Sequence, residues 1–443
     1  MLNAPLSARG IAVDHEQTLL KRLVWLYLLL LLFEGALRKW FLPFLQAPLL
    51  IVRDPVALLI LLQAANRHVR ILNPYTLVIF FTTLLSFLMT FYGGHQNLFV
   101  AVYGLRITML HFPLIFVIGQ VFDREDVEQV GRFLLWTVPF MTVLIALQFY
   151  SPQTAWVNRA VGGGAGGGFD GAMGYFRPPA TFSFTNGTTL FYSLSAVFVL
   201  YFWMKGAIKK QLPILIAASL GVLIAIPLAI SRGYLFQLVI CVLFFISASL
   251  AGGGKALGRL GILAVVFPIL LLLLSGFDFV QNGLTVFAER FTNASRSEGG
   301  LEGTLGERFL GGMTGAVGRA DDLPFWGMGL GMGSMVGSAL LTGESGVFLV
   351  AEGEWGRVIG EMGGLLGIIT ILVRIILTIH FSIKAIVYVF NKRPLPWLLT
   401  SFGVIQIVTA NWSQPTALGF AVVTGGLLLA SFNEPADNYQ HAA

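Results

Sequence analysis

Long apolar runs separated by short clusters of charge, glycine and proline set the pattern of this chain. They fall near residues 23–42, 45–65, 73–92, 98–121, 133–150 and 181–204, then 212–230, 233–251, 260–276, 346–380, 395–411 and 416–433. Nearly all are close to the length at which an α-helix, rising about 1.5 Å per residue, crosses a hydrocarbon layer about 30 Å thick, and the run at 346–380 exceeds it. The expectation is an all-α polytopic membrane protein with about twelve transmembrane helices. Its plan is an N-terminal segment 1–22, spans one to nine within 23–276, a large late loop 277–345 with short helices, spans ten to twelve within 346–433, and a tail 434–443. A glycine-rich loop, 151–180, interrupts the first group, and its Gly162–Gly164 and Gly166–Gly168 predict a flexible tether.

Composition agrees with this reading: 56% of the 443 residues are hydrophobic and 11% charged, where a soluble domain carries about 25% charge. The first 22 residues mix Arg9, Asp14, His15, Glu16, Lys21 and Arg22 with leucines, unlike a cleavable signal peptide. Cys241 is the single cysteine, so no intrachain disulfide can form. The net charge of +6 lacks a basic patch interleaved with aromatics, which argues against nucleic acid as a partner. Position along the chain matters more than the sum. Arg67, Arg70, Arg124, Arg132, Lys205, Lys209, Lys210, Lys255, Arg259, Lys384, Lys392 and Arg393 all fall on the side of the termini, which predicts that both termini are cytoplasmic. On the opposite face stand Arg38, Lys39, Arg53, Arg159, Arg177, Arg232, Arg290, Arg296, Arg308, Arg319 and Arg357, all arginine but one. A planar guanidinium fork suits bidentate phosphate binding, whereas lysine would serve equally for solubility; salt bridges with nearby Asp and Glu are the alternative use.

Charge at membrane depth is expensive and marks candidate sites. Arg106 and His111 lie in the fourth span, and Arg374 in the tenth, near enough to a helix end to snorkel. Arg232, in Ile230-Ser231-Arg232-Gly233-Tyr234, sits where two apolar runs meet at a tight turn that needs no charge for solubility. Glu352, Glu354, Arg357 and Glu361 gather at the start of the tenth span, either as a carboxylate base beside an arginine clamp or as a self-satisfied charge ladder at i,i+3 and i,i+4 spacing. Asp321 and Asp322 point apart on a helix and lack a third ligand, so no metal site is expected.

These residues resemble the bacterial O-antigen ligase and O-antigen polymerase superfamily of envelope glycosyltransferases. Ser231-Arg232-Gly233 is similar to the family's Ser-Arg motif. Arg308, Pro324 and the run Gly327, Gly329, Gly331 and Gly333 resemble its Arg, helix, Pro-Leu-Leu-Gly-x-Gly loop. Glu361–Gly367 is similar to its Glu-x-Gly-x-x-Gly element, and Arg177 through Gly187 to the stretch before its sixth span. Ligases carry a histidine about nine residues before the Glu-x-Gly; here Glu352 stands there, which favours the polymerase branch.

The resemblance implies a GT-C-like fold in the bacterial inner membrane with a large periplasmic loop. It implies an inverting glycosyltransferase that polymerises undecaprenyl-diphosphate-linked repeats at the periplasmic face, with diphosphate as leaving group and no cofactor. The partners would be the lipid-linked donor, a glycan acceptor, the bilayer, and export or chain-length proteins. Arg232 and Arg308 would clamp the departing diphosphate, with Arg177, Arg357, Arg106 and Arg319 as further substrate contacts. Glu352 or Glu354 would take the acceptor proton. Transfer to a lipid or protein acceptor, as in a ligase, is the alternative within the family. A transporter or lipid-linked glycan flippase, which should show repeated halves with broken helices, is the alternative outside it, as is a noncatalytic partner.

Overall fold

The computed structural model describes residues 6–206, 209–254, 257–258, 261, 276–298, 312–318, 324–344 and 348–434. They form helices α1 (Leu6–Ala36), α2 (Arg53–Asn66), α3 (Pro74–Tyr92), α4 (Leu98–Val121), α5 (Arg124–Tyr150), α6 (Thr185–Lys205), α7 (Leu212–Leu228), α8 (Arg232–Ala251) and α9 (Asp278–Glu298). Further helices are α10 (Gly312–Gly318), α11 (Met335–Thr342), α12 (Glu354–Phe390), α13 (Leu395–Val408) and α14 (Pro415–Ala430), with short helical turns at Leu37–Phe41, Pro43–Leu45, Gln46–Leu50, Trp156–Asn158 and Lys209–Gln211. A two-stranded hairpin, β1 (Phe169–Ala172) and β2 (Tyr175–Arg177), precedes α6.

The protein is a helical membrane protein. Among the described residues, seven helical stretches are long and apolar enough to cross a bilayer: Pro43–Asn66, α3, α4, α5, α6, α8 and α12. The apolar helices α7, α13 and α14 are shorter. Most of the expected ninth span lies outside the described residues. The expected tenth span begins at Glu354 rather than 346 and continues to Phe390, because nothing after residue 380 breaks its helical pattern before Asn391.

Sequence signals explain the ends. Asn73 and Asp123 close capping boxes at the starts of α3 and α5, and Ser231 caps α8 by accepting from the Tyr234 N–H at 3.3 Å. Small residues let helices approach. Gly425 and Gly426 of α14 meet Ile115 and Ile118 of α4 so closely that an added Cβ would stand 3.2 and 2.6 Å from them.

The helix α12 is broken at Gly363, whose φ of +80° is outside the helical region. The loop Phe325–Gly333 fills the break: the N–H groups of Met328 and Gly329 donate to the carbonyls of Gly360 and Glu361 at 2.8 and 3.1 Å. A Cβ on Gly363 would stand 2.0 Å from the Phe325 carbonyl oxygen, and one on Gly327 2.4 Å from the Glu361 carbonyl oxygen. The glycine-rich motif is thus a backbone-packing device.

The segment 151–180 is not the expected tether. The N–H groups of Gly162, Gly166 and Gly167 donate to the carbonyls of Arg38, Gln153 and Asn158. Gly162, Gly163 and Gly166 adopt φ between +79 and +90°, so the glycines serve left-handed turns in an ordered loop. Trp156 stacks on Trp40, with ring centroids 5.5 Å apart.

Candidate functional site

Arg177 ends the hairpin, paired in register with Phe169 across a turn in which Met173 and Gly174 both have positive φ, 53° and 76°. That twist suits a two-residue connection. Arg232 opens α8 directly after Ile230, a β-branched residue held at φ +47° with its side chain buried. Such a conformation costs on the order of 1–3 kcal/mol and persists only where surrounding contacts impose it. Here the Thr189 and Ser231 hydroxyls are 3.1 Å apart and tie the turn to α6. Arg290 lies on α9, whose Phe287 and Phe291 meet edge to face while Phe291 meets Phe236 of α8 in the same way.

These three arginines line one cavity of about 680 Å³ with Asn186, Gln406, Asn411 and Gln414, a size within the range of about 300–1,000 Å³ usual for ligand pockets. Among the described residues no carboxylate lines it. Burial pushes the Arg177 guanidinium below its usual range, and the charges of Arg290 and Arg232 push it further the same way. Three positive groups crowd together, and a bound anion would relieve them.

The first turns of α6, α8 and α14 also face this space through Asn186, Arg232 and Ala417, adding the positive ends of helix dipoles. Three of the lining residues carry buried polar atoms that make no hydrogen bond among the described residues: Arg177 Nε, Asn186 Oδ1 and Gln406 Oε1. Gln406 is 5% exposed. Amide oxygens left this way accept from hydroxyls.

The chain matches no protein-family model and no curated protein.

The other expected site residues divide as follows. Arg308, Arg319, Asp321 and Asp322 lie outside the described residues. Glu352 is exposed beside the cavity: Asn411 lines the cavity, and its side-chain N–H donates to the Glu352 carbonyl at 3.0 Å. Glu354, by contrast, is a buried structural carboxylate. It accepts from Arg357 Nε and Nη2 at 2.9 Å each, from Arg374 Nη1 at 2.5 Å and from the Trp412 N–H at 3.0 Å. Four donors saturate its oxygens, which removes it from base duty.

Arg357 spends its remaining Nη1 on Glu361 at 2.7 Å, and the adjoining void of about 20 Å³ holds no more than about one water. The charge ladder, not the phosphate clamp, is what this segment builds. Arg374 does not snorkel; it is 2% exposed and lies 3.9 Å over the Trp412 ring.

Arg106 is likewise committed elsewhere: it donates to Asp54 at 2.7 Å and lies 4.2 Å over the Tyr103 ring, and it is not among the residues lining the cavity. His111 joins the same cluster, 2.9 Å from Asp54 and 2.9 Å from the Tyr27 hydroxyl. Several expected phosphate-facing basic residues instead stitch loops to helices. Arg38 donates to the Gln46 carbonyl and Ser183, Lys39 to the Ala180 carbonyl, and Arg53 to the Pro415 carbonyl.

Proposed function

We propose that this protein is a membrane glycosyltransferase that polymerises undecaprenyl-diphosphate-linked repeats at the periplasmic face of the bacterial inner membrane. In this reading the chain has twelve spans and a GT-C-like plan with both termini cytoplasmic. The convergence of Arg177, Arg232 and Arg290 on one cavity carries the proposal.

The donor's diphosphate lies among these guanidinium groups, with the sugar hydroxyls toward Asn186 and Gln406. The acceptor hydroxyl attacks the anomeric carbon from the face opposite the diphosphate, the new C–O bond forms as the bond to the diphosphate oxygen breaks, and the configuration inverts. Charge growing on the leaving group meets preorganised donors, which stabilise the transition state more than the bound substrate. Glu352, at the rim, takes the acceptor proton; Arg308 remains a proposed fourth member of the clamp. The bond energy resides in the donor, so neither nucleotide nor cofactor is needed.

The test is reconstitution of purified protein in proteoliposomes with undecaprenyl-diphosphate-linked repeat and no nucleotide, read as a ladder of polymer lengths. Arg177→Ala, Arg232→Ala and Arg290→Ala should each lower turnover about 100- to 1,000-fold, the cost of one oxyanion-hole donor. Arg232→Lys should recover little, since the planar fork is lost. Transbilayer movement of the lipid without bond formation would replace this proposal with a flippase, and transfer only to a lipid A core or protein with a ligase.

A further inference from the structure

The helices α6, α8 and α13 each run from the arginine cavity to a second, separate one. Asn186, Arg232 and Gln406 stand at the first; Lys205, Ser249 and Leu395 of the same helices line the second. A helix of about 20 residues is about 30 Å long, so the two cavities occupy opposite ends of the bundle.

The second cavity has a volume of about 420 Å³ and is rimmed by Arg124, Lys205, Lys392 and Arg393. Two carboxylates answer these four cations: Glu128 pairs with Arg124 and Lys205, and Glu434 with Arg393. Lys392 is exposed and has no ion-pair partner among the described residues. The C-terminal ends of α6, α8 and α12 account for some of this charge, because their dipoles attract cations.

The dipoles do not account for Ser249. The residue is 3% exposed, its Oγ has no hydrogen-bond partner among the described residues, and it lines the cavity. A buried hydroxyl is normally satisfied. The remaining lining is mostly apolar, with Met204, Val389 and Leu395 beside Tyr201, whose hydroxyl donates to Glu128 at 2.6 Å. At the same end Trp397 stacks on Phe244 with centroids 4.4 Å apart and donates to Ser247 at 2.9 Å, the setting tryptophan favours at headgroup depth.

We propose that this second cavity binds the headgroup of an anionic phospholipid. The phosphate lies between Lys392 and Arg393, a glycerol or phosphate oxygen meets the Ser249 hydroxyl, and the acyl chains run along the apolar wall. The site is distinct from the donor cavity and independent of the reading given for it.

Native mass spectrometry on the full-length protein, titrated with phosphatidylglycerol, phosphatidylcholine or inorganic phosphate, tests it. Phosphatidylglycerol should bind in preference to phosphatidylcholine. Each cation removed should weaken binding about fivefold, so Lys392→Gln alone should cost about fivefold and Lys392→Gln with Arg393→Gln about 25-fold. Ser249→Leu should block the headgroup. Lys392 is exposed, so its variant keeps the test decisive if Ser249→Leu fails to fold. Equal binding of the two lipids, unchanged binding by the Lys392 variant, or displacement of the lipid by millimolar inorganic phosphate would each overturn the assignment.

Discussion

Glu352 and Glu354 stand two residues apart in the chain and in opposite circumstances. Glu352 is exposed, its backbone carbonyl held by Asn411 of the cavity lining, whereas Glu354 holds two arginines and a backbone N–H. Glu354→Gln removes a charge that compensates Arg357 and Arg374, and breaking such a buried pair costs about 3–5 kcal/mol. Thermal unfolding in detergent should show that loss. Glu352→Gln should leave the melting temperature unchanged and lower polymer formation about 100- to 10,000-fold, the range for a general base. The sequence already sets Glu354, and not Glu352, at i,i+3 from Arg357; that the ladder is buried and Glu352 exposed came from the fold. Asn186 was visible only inside the stretch Arg177–Gly187 that resembles the family, and Gln406 not at all, because a neutral amide in an apolar run carries no charge signal. Their signature is a buried, unpartnered oxygen, which only coordinates reveal.

At the scale of elements, most apolar runs become helices near their expected positions, because about 20 consecutive apolar residues leave the backbone few other options in a bilayer. The late loop was harder to read. Its helix α9 carries Arg290, the third arginine of the cavity, yet charge and polar residues interrupt it throughout. A signal was present: Val280, Leu284, Phe287 and Phe291 recur at helical spacing on one face. The break at Gly363 was hidden because glycine alone does not announce a kink. Gly363→Ala meets both a positive φ and the Phe325 carbonyl, and an L residue forced into such a site costs on the order of 1–3 kcal/mol before the clash is counted. A lowered melting temperature, with protection lost from hydrogen exchange at Met328 and Gly329, should accompany it.

Over the whole molecule, charge is partitioned by what it faces. Arg177, Arg232 and Arg290 are gathered where, among the described residues, no carboxylate lines the space, and the charges of Arg290 and Arg232 disfavour the one on Arg177, a crowding that a bound polyanion would relieve. Added pyrophosphate should therefore raise the melting temperature in a concentration-dependent way. The gain would reach about 2.7 kcal/mol at one hundred times its dissociation constant and be much reduced in Arg177→Ala. Arg357 and Arg374, interior to the bundle, are instead balanced by Glu354 and Glu361. Two guanidinium cations against two carboxylates sum to zero, so a transmembrane potential performs no net electrical work on this quartet. The bundle can therefore shift these four ionised groups together along the membrane normal without an electrical cost.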